Sequence, residues 1–240
     1  MKYIITLVLS IIFLGQTFAQ NEQIEFIRKI YNEALSSHEA YENLRYLCKN
    51  TKGRISGTPE ASAAVTFTRQ TLSRLDIDNV YLQDLIVPHW DRGEVETANI
   101  SSVLFGSKEV PVSALGLSVA TSEVGLTGKV IEVQSLDELK NLGTEKITGK
   151  IVFFNRPMDP TLVRTFSAYG GAVDQRTRGA SEASKFGAIG IVVRSLTTSN
   201  DDHPHTGVMY YEEGVKQIPA VMISTNGANL LSSWLKKMLI

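Results

Sequence analysis

The sequence predicts an α/β protein, and three observations carry that expectation. Up to Leu104, amphipathic helical patterns lead into two strand patterns. From Phe105 onward, short apolar runs alternate with glycine-rich turns and few helices, the texture of a compact β-rich α/β module. An apolar leader at the start of the 240-residue chain takes its first residues out of the fold altogether.

In that leader, Lys2 supplies a positive head, Tyr3 to Leu14 is almost unbroken apolar sequence, and Thr17-Phe18-Ala19 places small residues where a signal peptidase reads. The run is short for a membrane span and polar Gln20-Asn21-Glu22 follows at once, so residues 1–19 read as a signal peptide cleaved after Ala19. Without a cysteine after the run, a lipid anchor is not expected. The protein is expected to be secreted or periplasmic, with no stable membrane insertion.

The segment 20–104 opens with three helices. Ile24, Ile27, Ile30, Tyr31 and Leu35 recur at helical spacing opposite Glu25, Arg28, Lys29 and Glu33. Ala40, Tyr41, Leu44, Leu47 and Cys48 repeat the pattern. Gly53-Arg54-Ile55-Ser56-Gly57 is turn chemistry, after which Thr58 is suited to cap a third helix with Pro59 at its first position. Ala64, Phe67, Thr68, Thr71, Leu72 and Leu75 form its expected buried stripe. Strands are expected over Val80 to Val87 and Glu94 to Leu104.

The segment 105–226 is expected to hold strands at Val112 to Leu117, Lys129 to Val133, Lys150 to Phe154, Ala188 to Arg194 and Ile218 to Ile223. A brief helix over Leu136 to Asn141 and a longer one over about Ala172 to Phe186 interrupt them, with Gly187 as the closing cap. Residues 227–240 begin another helix, from Ala228 to Met238, without a visible stop. That ending suggests a larger α/β domain resumed and cut short.

Composition excludes several classes. A formal net charge of −1 offers nothing for nucleic acid or an anionic membrane. Cys48 is the single cysteine, sits in an apolar pattern, and reads as a small buried hydrophobe. The glycine pairs fit neither a phosphate loop nor a dinucleotide fingerprint, and no G-x-S-x-G elbow is present. Arg176, Arg178 and Glu182 read as one solvated helix face, with Arg178 and Glu182 paired at i, i+4.

Two places hold metal-binding residue types. Asp201-Asp202-His203-Pro204-His205 has suitable side chains, but Pro204 sends its histidines to different sides of an extended run. His89-Trp90-Asp91 is an H-x-D tripeptide. Neither supplies a converging ligand set, so a polar loop facing a cleft is the stronger reading of 201–205.

The runs GKIVFFN (Gly149–Asn155), QRTRGASEASKFGAIGIVVRS (Gln175–Ser195) and PHTGVMYYEEGVKQIPAVMIS (Pro204–Ser224) resemble the protease-associated domain of certain zinc exopeptidases. KGRISGTPEA (Lys52–Ala61) and VPHWDRGE (Val87–Glu94) resemble the segments preceding it in the carboxypeptidase Q-like zinc metallopeptidases. The resemblance runs from about Glu22 to the end. It implies 1–19 as signal peptide, 20–104 as the first part of a peptidase domain, 105–226 as the protease-associated domain and 227–240 as the start of a return. It also implies a peptide-hydrolysing enzyme using two zinc ions, a homodimer when complete, and a protease-associated domain that restricts and orients short peptides.

In the resembling family the zinc ligands follow this domain, so no catalytic or metal residue is assigned, the ligands being expected beyond Ile240. No zinc is expected on this chain alone, nor activity. His89 aligns with the VPHW segment, and its H-x-D is a look-alike. Within the Pro-His-Thr-Gly loop the substrate-contact candidates are His205, Thr206 and Tyr210, beside Tyr211. Two rivals differ in class: a non-catalytic protease-associated module that binds peptides or proteins, and a subtilisin-like protease, against which the segments before the insertion argue. Sequencing the amino terminus of exported protein checks the leader: Gln20 is the expected first residue, and retained Met1 would contradict it.

Overall fold

The computed structural model describes residues 22–238, so the leader reading for 1–19 lies outside the described residues. The chain divides into two compact units that part between His89 and Trp90, ahead of the change in texture at Phe105.

The first unit carries three helices: α1 (22–36), α2 (Glu39–Asn50) and α3 (Pro59–Leu72). Thr58 caps α3 by accepting a hydrogen bond from the Ala61 N–H at 3.2 Å, and Pro59 stands at the start, where its missing N–H is harmless. Tyr46 of α2 stacks on Phe67 of α3 with ring centroids 4.0 Å apart. Arg54 donates to the carbonyls of Leu47 and Thr51 and so closes the end of α2. The expected burial is not found. No residue of α2 or α3 is buried, Leu72 and Leu75 are exposed, and Cys48 is exposed rather than a core hydrophobe. The periodicity is real, but the stripes are only partly covered: Phe67, Ala64 and Leu47 are half-buried and none is fully buried. Residues 80–98 form no regular secondary structure, so the first expected strand is not found.

The second unit begins with a hairpin, β1 (Asn99–Ser102) on β2 (Gly106–Glu109), antiparallel. The strand expected over 94–104 thus shrinks to four residues, and β2 was missed because Gly-Ser-Lys-Glu has no apolar face. The main sheet contains β3 (Val112–Ala114), β4 (Val130–Val133), β5 (Ile151–Phe154), β6 (Gly190–Arg194) and β7 (Ala220–Ile223). Its order is β3-β7-β6-β5-β4, parallel from β4 to β7, with β3 antiparallel on the β7 edge.

Both faces of the parallel strands are covered, which is why they read as apolar runs instead of alternating ones. Val152, Phe154, Ile191, Val193, Ala220 and Met222 point to one side, into a core shared with α4 (Leu136–Ile147) and α7 (Gly179–Lys185). Phe153, Val192 and Ile223 point to the other, onto Ala228 and Leu231 of α8 (Thr225–Met238). The expected return segment 227–240 therefore packs, as far as it is described, on this unit's own sheet.

Between β5 and β6 the expected long helix is broken into α6 (Asp174–Thr177) and α7, preceded by α5 (Thr165–Gly170). The break lies at Arg178, before Gly179, where an added Cβ would sit 2.9 Å from the Phe154 ring. Gly187, at φ +81°, turns the chain out of α7 into β6 as expected. α4 runs past the expected Asn141 to Ile147, interrupted where Gly143 leaves helical geometry.

Phe154 is fully buried at the centre of this packing. Phe154→Ala is expected to lower the unfolding free energy by about 3–5 kcal/mol in denaturant titration; a loss below about 1 kcal/mol would contradict the placement of the core.

Candidate functional site

The loop 204–211 lies between β6 and β7 and is built onto the run that follows β3. The Gly116 N–H donates to Gly207 O at 2.9 Å and the Met209 N–H to Gly116 O at 3.1 Å, making a short parallel bridge. Met209 and Leu115 are fully buried beneath it. The chain then passes through Leu117, a non-glycine residue at φ +75°, a left-handed conformation that surrounding contacts must hold.

Ala114 is the point where three segments meet. Its N–H donates to Glu96 Oε1 at 2.7 Å, and its carbonyl accepts the Thr206 hydroxyl at 2.6 Å. Arg92 Nη1 donates to Glu96 Oε1 at 2.8 Å and to Ser113 Oγ at 2.9 Å. Burial pushes the Glu96 carboxyl upward, but the N–H of Ala114, its own backbone and Arg92 outweigh that and hold it below the ordinary carboxylate range. Sequence reading missed the ion pair of Arg92 with Glu96, because the two lie in irregular chain where i, i+4 spacing carries no signal.

His205 is fixed by its backbone. Its N–H donates to Ser195 Oγ at 2.9 Å, and that hydroxyl in turn donates to Ile223 O at 2.7 Å. Its imidazole is free to face solvent, 47% exposed, with Nε2 3.8 Å from Asp201 Oδ2. Asp201 is held in place by Thr225, whose hydroxyl oxygen accepts from its N–H at 2.9 Å. Tyr210 anchors through its backbone, to Thr177 O and Ser181 Oγ, and leaves its ring 61% exposed.

The candidates therefore separate by role. His205 and Tyr210 present side chains outward. Thr206 spends its hydroxyl proton on Ala114. Tyr211 locks the loop, its hydroxyl donating to Ile218 O at 2.6 Å and accepting from the Val119 N–H at 3.1 Å. The helix face expected to be solvated is also revised. Glu182 is buried, bridged by Arg178 at 3.5 Å and Lys185 at 3.1 Å, while Arg176 packs over the Tyr169 ring.

The metal-type residues do not converge. In the first unit His89 Nδ1 lies 3.1 Å from Gly57 O. In the second, Trp90 Nε1 donates to Ser118 O at 3.0 Å and the Asp91 carboxylate accepts from the Gly93 N–H at 3.0 Å. Asp201 and His205 make a pair without a third ligand. Among the described residues no group of three or more His, Cys, Asp or Glu side chains is arranged to hold a metal ion, so these residues do not fit a zinc site.

Comparison with known proteins decides the relationship. The chain is 32% identical over 203 residues to human carboxypeptidase Q, covering 85% of this chain and 40% of that protein. Against the Xenopus laevis carboxypeptidase Q the figures are 35% over 199 residues, 82% and 39%. A crystal structure of a peptidase M28 precursor from Shewanella amazonensis superposes with a TM-score of 0.81 at 32% identity, over 89% of this chain and 47% of that one. The chain is a carboxypeptidase Q-like member of the M28 peptidases.

The chain spans about two fifths of the length of the curated relatives it matches. A zinc aminopeptidase from Bacillus subtilis, at a TM-score of 0.50 and 20% identity over 80% of this chain and 40% of that one, shares the fold. No protein-family model matches the chain. Its α/β architecture agrees with the Shewanella neighbour and with the fold class expected from sequence.

Because Glu96 titrates below its unfolded value, its contribution is present above the unfolded carboxylate range and is lost as pH falls through the folded value. Stability measured by urea titration is therefore expected to fall below about pH 4, and Glu96→Gln to flatten that acid limb. An unchanged limb in Glu96→Gln would remove Glu96 from the account.

Proposed function

We propose that this chain is the substrate-side portion of an exported zinc-dependent exopeptidase that hydrolyses short peptides. The observation that carries the proposal is the match to carboxypeptidase Q over 85% of the chain, joined to the fold match with the M28 precursor. Export rests on the Lys2, apolar run and Thr17-Phe18-Ala19 order. Among the described residues no helix is long and apolar enough to cross a membrane.

The described residues do not fit zinc, so the metal ligands and the hydrolytic groups belong to the part of the peptidase that this chain does not span. This chain's contribution is binding. Residues 105–226 act as a protease-associated domain, with loop 204–211 turned toward the peptide. His205 Nε2 and the Tyr210 hydroxyl are the groups offered for hydrogen bonds to a peptide backbone or terminus. Thr206 and Tyr211 hold the loop in place, one through Ala114 and the other through Ile218 and Val119. The complete enzyme is proposed to form a homodimer.

In the complete enzyme, His205→Ala is expected to lower kcat/KM for a dipeptide by an amount equivalent to about 1–3 kcal/mol, the scale of one lost buried hydrogen bond, with zinc content unchanged. Unchanged kinetics would reduce the loop to surface, and lost zinc would make Asp201 and His205 ligands. Elemental analysis of the dialysed 240-residue chain is expected to find no stoichiometric zinc; one ion per chain would overturn the placement of the metal site.

A further inference from the structure

The hairpin of β1 on β2 turns through Val103-Leu104-Phe105, against the usual chemistry of a tight turn. Such turns favour glycine, asparagine, aspartate and serine, and Gly106 at φ +76° already supplies the left-handed residue here. Val103 and Leu104 add nothing to it. Val103 is fully exposed and Leu104 is 67% exposed, so neither side chain is spent on the core.

The base of the turn rests on the end of α8. The Phe105 ring lies 5.2 Å from the Trp234 ring, and Lys237 Nζ stands 5.7 Å from the Phe105 centroid. The Ser102 hydroxyl donates to Met238 Sδ at 3.4 Å. Lys108 is paired across the hairpin with Ile100, which packs against the cluster that includes Ala228 and Leu231, so Lys108 extends on the face that meets α8.

Residues 99–109 and 225–238 carry three lysines, Lys108, Lys236 and Lys237, against one carboxylate, Glu109 at the far end of β2. None of the three makes an ion pair among the described residues. Glu132 touches α8, but at buried Ser232 and within the field of Arg194. The formal net charge of −1 for the whole chain conceals this local excess of positive charge.

Two exposed aliphatic side chains at a tip, an aromatic pair behind them and lysines around the base match a lipid surface layer by layer: hydrocarbon, interface, headgroup. A protein partner fits less well. Lysine is depleted in protein–protein interfaces, and two aliphatic residues fall short of the roughly 800 Å² that each side of a stable complex buries.

We propose that turn 103–105 and the end of α8 form a peripheral anchor for an anionic lipid surface. Val103 and Leu104 enter the acyl boundary, and Lys108, Lys236 and Lys237 rest on the headgroups. The two aliphatic side chains hold about half the apolar carbon of one myristoyl chain, which alone binds a membrane only marginally, so the anchor needs its lysines as well. Attachment is reversible and stops short of insertion. Export, as proposed above, brings the chain to such a surface.

The test is co-sedimentation of the 240-residue chain with vesicles of phosphatidylcholine alone and of phosphatidylcholine with about one third phosphatidylglycerol. Binding is expected on the anionic vesicles, about tenfold weaker on the neutral ones, and weakened by added salt. Leu104→Ser and Lys236→Glu are each expected to cut it about tenfold. Both positions are exposed, and circular dichroism checks the fold of each variant. Brominated acyl chains are expected to quench tryptophan fluorescence in the native chain but not in Trp234→Phe. Absence of binding, equal binding to both vesicles, or binding that survives both Leu104→Ser and Lys236→Glu would each overturn the proposal. The complete enzyme is tested in the same way: loss of vesicle binding there would show the patch covered by the rest of the peptidase and overturn the proposal equally.

Discussion

The carboxylate of Glu96 is the contact on which the candidate site depends. Strand β3 is an edge strand of three residues, antiparallel to β7, and an edge strand exposes backbone groups that need partners. At Ala114 both of those groups are satisfied by side chains: Glu96 takes the N–H and Thr206 supplies a donor to the carbonyl. Arg92 holds the Glu96 carboxylate in position. One peptide unit thereby joins the segment before β1, the edge of the sheet and the loop bearing His205. Removing Glu96 leaves a half-buried N–H without an acceptor, and the loop loses the frame on which it rests.

The parallel strands were legible because burial on two faces leaves little choice of residue, so Ile151–Phe154, Gly190–Arg194 and Ala220–Ile223 read as unbroken apolar runs. Segments with weaker demands were not. Val80 to Val87 has the composition of a strand but forms none, and β2 pairs with β1 through backbone and a Ser101–Ser107 hydroxyl contact with no apolar face to announce it. Beside the break between α6 and α7, Gly179 lies close on the Phe154 ring, a contact between residues far apart in the chain that local pattern does not encode. The helical stripes of α1 to α3 were legible as periodicity, yet burial needs a covering surface, and pattern alone does not supply one.

The site divides in the same way. His205 and Tyr210 were legible as chemistry, since a histidine and a tyrosine beside Gly207 in an apolar module are conspicuous. Which of the loop's polar groups are already engaged was not legible. Thr206 and Tyr211 resemble their neighbours in sequence, and only their partners on Ala114, Ile218 and Val119 make them supports. Arg176 was read as solvated because helix position suggests it; the broken helix turns it inward onto Tyr169 and Gly207. The look-alike H-x-D at His89 was rejected on its place in the sequence. In the structure His89 lies against the Gly57 carbonyl, and among the described residues no metal-holding group of three forms.

The central claim is that loop 204–211 is a preformed platform, held to Ala114 and Gly116 before any peptide arrives. Amide hydrogen exchange tests it most directly, because the Gly116 and Met209 N–H groups donate only if the loop is docked. Both amides are expected to exchange as slowly as those of β7, and to accelerate together in Thr206→Val. Exchange at the rate of an exposed turn in the unaltered chain would contradict the account, since the loop would then be ordered by its ligand rather than by the fold.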